Sequence, residues 1–250
     1  MAKEKNTAVA KVESTLPSTE IRKDWGAAED VGAADVMVSK LFHQQALSKF
    51  TQDGLASPGD WCDSLTGEVI AKRDEELSVV IFASYKKLLV NLWNNKEAKY
   101  EWLRTEDATD ENWTLPYEEI TEEGKIRRQK QYNYFCLLVN RPLELPYVLS
   151  FTSTKIKAAK KINTMFAKLS RVGMPSASFH FNLKSIKETG DKGSWFGVNI
   201  IQGSKSTPEQ LDLAYEWYQK VKASKVIVAE EDSLSEDGQD FDDSEAGANY

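Results

Sequence analysis

The sequence predicts a mainly β domain with a few helices, and three observations carry that expectation. Apolar and aromatic residues are dense from Asp35 to about Lys225, with several runs rich in β-branched and aromatic side chains. Gly- and Pro-containing clusters bound these runs: Ser57-Pro58-Gly59-Asp60, Thr66-Gly67 and Gly190-Asp191-Lys192-Gly193. Only two stretches show sustained helical spacing.

The expected strands are, in order, Val36–Val38, Glu68–Ala71, Leu77–Trp93, Tyr100–Arg104, Gln131–Val139, Tyr147–Phe151, Ser178–Leu183 and Trp195–Ile201. Leu77–Trp93 is too long for one flat strand, so a bend at a bulge is expected. The first helix is expected over Lys155–Leu169, with Thr152-Ser153-Thr154 offering caps. At about 100° per residue Ala159, Ile162, Phe166 and Leu169 share one face, and Lys157, Lys160, Lys161, Lys168 and Arg171 the other. The second helix starts at Pro208, a favoured first-turn residue, and runs through Leu211, Ala214, Trp217 and Val221. Seven or eight short strands, an internal basic helix and a closing C-terminal helix together predict an OB-like Greek-key barrel with insertions. In an OB fold the helix stands between the third and fourth barrel strands, and oligonucleotides bind across one face.

Composition divides the chain into a flexible segment (1–30), an OB-like domain (31–225) and a disordered acidic tail (226–250). Residues 1–30 are polar without an apolar period. Residues 230–250 hold nine Asp and Glu and no Lys or Arg, which leaves 32 basic against 30 acidic residues before them. The formal charge of −7 therefore describes neither part. No run of about 18 apolar residues and no secretory signal is present, so a cytoplasmic protein is expected. Cys62 and Cys136, the only cysteines, form no CxxC pair and match no zinc spacing with His43 and His180. Two free thiols in a reducing compartment are expected, with neither metal nor cofactor.

The candidate binding stretch is Lys125–Phe135. If it is extended, alternation puts Arg128, Lys130, Tyr132 and Tyr134 on one face and Gln129, Gln131, Asn133 and Phe135 on the other. Cations beside planar rings are what a single strand requires, since cations neutralise phosphates and unpaired bases stack on aromatics. Lys125, Arg127, Arg128 and Lys130 are the expected phosphate contacts, with Lys157, Lys160 and Lys161 extending the groove. Tyr132 and Tyr134, with Trp93 or Trp102, are the expected stacking platforms. Against this, Tyr and Trp are also ordinary half-buried strand anchors, and a Lys-rich helix face is an ordinary way to solvate a helix. The helix stands out because no acid occurs from Lys155 to Arg171. In the tail, Asp240, Phe241, Asp242, Asp243 and Tyr250 combine acids with aromatics, suited to competing with DNA and to docking on basic pockets of partners.

The stretches Val38-Ser39-Lys40-Leu41, Ala56-Ser57-Pro58-Gly59-Asp60 with Asp63–Glu68, and Leu145–Phe151 resemble phage-type single-stranded DNA-binding proteins. That resemblance implies an OB-fold body, sequence-independent binding of single-stranded DNA in replication or recombination, and a tail that recruits partner proteins. It also implies the host cytoplasm as the place of action.

Enzyme readings have less behind them. No P-loop, GxGxxG, GxSxG or HExxH motif occurs. Asp60, Asp63 and Glu68 could be offered as ligands of a metal-dependent nuclease, but they flank glycines where acids also serve turns. The other alternative is an acidic-tailed regulator that binds a polymerase or nuclease.

Overall fold

The computed structural model describes residues 37–141, 145–190, 193–223 and 227–228. In chain order the elements are β1 (Met37–Val38), β2 (Lys40–His43), α1 (Lys49–Gln52), β3 (Trp61–Asp63), β4 (Val69–Ala71), β5 (Glu76–Asn94), β6 (Lys99–Asp107), β7 (Glu118–Thr121), β8 (Gly124–Leu138), β9 (Tyr147–Phe151), α2 (Ile156–Arg171), β10 (Phe179–Gly190), β11 (Gly193–Lys205), α3 (Pro208–Lys222) and β12 (Ile227–Val228). The protein is mainly β, and its principal sheet curls strongly into an open half-barrel compatible with an OB-like barrel. Its path is β11-β10-β5-β8-β9-β2-β3-β4, with β6 beside β5 and β7 beside β8. All its pairs are antiparallel except β2 with β9.

Five of these strands carry the OB-like layout. β5, β8 and β9 form a meander, α2 follows, and the β10–β11 hairpin returns along the free side of β5. The helix thus stands between the third and fourth strands of this set, as the sequence predicts. β2, β3 and β4 extend the sheet beyond β9. The insertion between β5 and β8 forms a four-stranded arm, β6-β5-β8-β7.

Alternation gives this sheet two apolar faces. One face gathers Val79, Ile81, Tyr134, Cys136, Phe151, Phe181, Leu183 and Ile200 under Ala158, Ala159 and Ile162 of α2. The other gathers Val80, Phe82, Phe135, Leu137 and Val148 under Ala214 and Trp217 of α3. β5 carries a bulge within the expected long strand, at Phe82 between Ile81 and Ala83, and a second irregularity lies on β6, where Leu103 falls between the residues paired with Val90 and Asn91. Each adds a residue on one strand and increases the local twist that curls the sheet.

Side chains bridge the open side of the half-barrel. Gln45, just after β2, donates to the Phe196 carbonyl at 2.9 Å and accepts from the Phe196 amide at 3.0 Å, a two-point clasp onto β11. His43 Nε2 lies 2.8 Å from Ser185 Oγ, whose hydroxyl donates to the Gly59 carbonyl. Gly59 has φ +94°, and a Cβ there would come within 2.6 Å of the Phe196 ring, so only glycine fits.

Two elements differ from expectation and one agrees. Thr152–Thr154 do not cap α2: Ser153–Lys155 form a 3-10 turn and the helix begins at Ile156 without a side-chain cap. α3 begins at Pro208 as expected, with a reciprocal capping box between Thr207 and Gln210. β12 falls in the stretch expected as tail and pairs in parallel with β1.

Candidate nucleic-acid interface

β8 is extended from Gly124, so the candidate stretch alternates as the sequence predicts. What differs is what each face meets. Cross-strand register places Lys86 opposite Tyr132, Leu88 opposite Lys130 and Val90 opposite Arg128 on one face of the arm. Tyr134 continues that face into the core, where it is 1% exposed, because α2 covers it. Its hydroxyl donates toward Asn163 Oδ1 at 2.9 Å and the Ala159 carbonyl at 3.1 Å, and burial pushes its pKa up. Tyr134 is therefore a core residue in this structure rather than part of an open stacking face.

Tyr132, one strand repeat outward, is half-buried and meets Trp113, a residue that sequence reasoning missed. Trp113 sits in a one-turn 3-10 helix between β6 and β7. The turn is held from within: Asn112 Oδ1 accepts from the Thr109 amide at 2.7 Å, and Thr109 Oγ1 accepts from the Asn112 amide at 3.1 Å. Asn112 Nδ2 also donates to the Asp107 carbonyl at 2.9 Å. This turn stands the indole edge-on to Tyr132, centroids 5.3 Å apart at 90°. The ammonium groups of Lys86 and Lys130 each lie 5.1 Å from the Trp113 ring centroid. Among the described residues, no carboxylate is within ion-pair reach of either lysine.

The other expected cations are engaged differently. Glu118 on β7 binds Arg127 at 2.9 Å and Lys125 at 3.1 Å, and Glu119 binds Arg128 at 2.7 Å. Burial works to raise the pKa of Glu118, but hydrogen bonds from Arg127 and Lys125 outweigh it and hold the carboxyl below its usual range. The Tyr100 hydroxyl, then Glu118, hold the Lys125 ammonium above its usual range. Arg127 stacks at 3.8 Å on Tyr100, which packs against Trp93 at 5.0 Å. Arg127, Tyr100 and Trp93 pack together on the opposite face of the arm. Trp93 is half-buried there, while Trp102 is 51% exposed and donates to Thr105 Oγ1 at 3.2 Å. The structure thus separates two groups that the sequence treats as one: Lys130 and Tyr132 on the Trp113 side, and Lys125, Arg127 and Trp93 on the other.

On α2, Lys157, Lys160 and Lys161 are exposed. Lys160 precedes Asn163 by one turn, on the flank that meets Tyr134, whereas Lys161 donates to Asn199 of β11 at 3.2 Å. Tyr134 and Tyr132 are successive residues on one strand face, about 7 Å apart. The lysine-bearing helix and the Trp113 cluster therefore border one another. Asp240, Phe241, Asp242, Asp243 and Tyr250 lie outside the described residues.

The acids considered for a metal site serve the turns. Asp60 accepts from the Ser57 and Arg73 amides, each at 2.9 Å, and Asp63 from the Leu65 amide at 2.7 Å and the Thr66 amide at 3.0 Å. Glu68 pairs with Arg141 at 2.9 Å. Among the described residues, no three His, Cys, Asp or Glu side chains are grouped to hold a metal ion. Cys62 and Cys136 are free and buried; burial, with Asp60 and Asp63, pushes the Cys62 thiol up to about 11.

The fold and surface define a class: an OB-like half-barrel carrying an arm with an aromatic–cation cluster and a helix with a lysine-rich exposed face. The chain belongs to the Pam3 phage gp34-like protein family, which it matches over residues 11–227, and is a phage protein. No curated protein and no solved structure matches it. No helix among the described residues is long and apolar enough to cross a membrane.

Proposed function

We propose that this phage protein binds single-stranded DNA without sequence preference, through the Trp113 side of the arm and the adjoining lysine face of α2, and that it acts by binding rather than catalysis. The observation that supports the reading best is the pairing of a half-buried aromatic cluster with cations that lack acidic partners among the described residues. Lys86 and Lys130 surround Trp113 and Tyr132, and α2 carries no acid between Lys155 and Arg171. Phosphate contacts need cations free to exchange their counterions, and stacking needs exposed ring surface beside them. The position within the fold adds support, because the loop between the first two strands is one by which OB folds take oligonucleotides. The acidic residues 230–250 compete with DNA for the same lysines and recruit replication or recombination proteins when DNA displaces them.

The test is titration of the full-length protein with a labelled dT oligonucleotide at two salt concentrations, beside a matched duplex. Tight binding to the single strand, weakened by salt, is expected, and deletion of 230–250 tightens it. Absence of binding at low salt, with and without the tail, would refute the proposal.

A further inference from the structure

Two ammonium groups flank one indole, and among the described residues no carboxylate pairs with either. Like charges at such range repel, and an anion between them would relieve that repulsion. Asp107, Asp110 and Glu111 flank Trp113 in sequence, yet none pairs with either ammonium, and Glu118 and Glu119 are engaged with Lys125, Arg127 and Arg128. Lys86 is exposed and Lys130 half-buried, so both ammonium groups can swing off the ring without disturbing the core. Trp113, by contrast, is fixed by the Thr109–Asn112 turn, whose hydrogen bonds make no use of the lysines. The turn that carries the ring is held independently of the two cations around it.

Resting on the single-strand reading above, we infer that Trp113 is the base-stacking residue of a nucleotide subsite whose phosphates are taken by Lys86 and Lys130. In the free protein the indole holds the two ammonium groups by cation–π attraction. An unpaired base takes their place on the ring, and the displaced ammonium groups close on the flanking phosphates. Binding of base and of phosphate is thereby coupled at one subsite. A paired base in a duplex has its faces covered by its neighbours and gains nothing from the ring, so the subsite selects single strands. The ligand is any unpaired nucleotide within a longer strand, since every base offers a π face.

The experiment compares a dT oligonucleotide of about 16 nucleotides, the upper end for one OB fold, with an abasic strand of the same length. Each is titrated into wild-type protein, Trp113→Ala, Trp113→Phe and the double variant Lys86→Gln/Lys130→Gln. Wild-type protein prefers the dT strand. Trp113→Ala weakens dT binding by roughly 5- to 150-fold, the range for one stacked base, and leaves abasic binding unchanged. Trp113→Phe restores most of the loss. The lysine double variant weakens both strands and lowers the slope of log affinity against log salt by about 1.4, two contacts at about 0.7 each. Equal losses on both strands with Trp113→Ala would make Trp113 a packing residue of the arm and overturn the inference. Wild-type affinity for dT in that variant would overturn it as well. Wild-type protein that binds neither strand would instead overturn the single-strand reading beneath it.

Discussion

Replacing Tyr134 separates its two possible roles. The phenol is 1% exposed, packs against Phe151 and Phe166 at 5.9 and 6.0 Å, and donates its proton toward Asn163 and Ala159 of α2. Tyr134→Phe keeps the ring and removes one buried hydrogen bond, a net loss of about 1 kcal/mol. The cost falls at the low end for a stranded acceptor, because Asn163 is half-buried and can turn to water. At an m-value of about 2 kcal/mol per molar urea this moves the unfolding midpoint by about 0.5 M. Tyr134→Ala also removes the ring and leaves a cavity under the helix, with an expected cost of about 3–5 kcal/mol. Urea unfolding followed by circular dichroism measures both, and the same preparations are titrated with the dT oligonucleotide. A core tyrosine predicts a lower midpoint and, for the Phe variant, affinity within about twofold of wild type, well under the smallest stacking loss of about 1 kcal/mol. Unchanged stability together with a several-fold loss of DNA affinity would refute this account and return Tyr134 to the binding face.

Two further predictions concern charge. Glu118→Gln/Glu119→Gln releases Lys125 and Arg128 from their ion pairs, so single-strand affinity at low salt rises and its salt slope steepens by up to about 1.4. Unchanged affinity and slope in that variant would mean these cations serve only the arm. His43 is held well below its ordinary pKa by burial first and by the Lys155 charge second, partly opposed by a hydrogen bond at Gly59. The unfolded state therefore binds a proton that the folded state resists. Stability is complete above about pH 6.5 and declines below it by up to about 1.4 kcal/mol per pH unit until the folded pKa is reached. Urea midpoints between pH 7.5 and 5.5 check this, with His43→Asn as reference; an equal slope in the two proteins would show that another group titrates.

Much of the fold was legible because long strands advertise themselves. Leu77–Trp93 and Gln131–Val139 are runs of β-branched and aromatic residues whose alternation feeds both apolar faces, and even the bend followed from length. The missed strands are short and chemically mixed. Lys40–His43 and Trp61–Asp63 hold four and three residues, with polar members buried by contacts from distant segments. Glu118–Thr121 is rich in acids and poor in burial, and exists as a strand because β8 pairs with it. Trp113 was hidden for a related reason. It stands alone in the polar stretch Asp107–Leu115, without a period to place it. The available signal was the Thr109–Asn112 pair, whose side chains can close a turn around a neighbour, leaving the lone aromatic to be explained.

The two basic segments show why one charge pattern could be read more safely than the other. A helix meets its own polar neighbours three and four residues away, so the absence of acids from Lys155 to Arg171 already excludes intrahelical neutralisation. A strand meets partners from anywhere in the chain. Nothing within Lys125–Lys130 reveals that Glu118 and Glu119 will arrive across a hairpin and claim three of its four cations. Lys130 escapes because β7 ends its pairing at Arg127. Beyond that point the Trp113 turn, not an acidic strand, lies against the sheet face. The length of a four-residue strand therefore decides where neutralised charge ends and available charge begins, and it places that boundary at the aromatic cluster.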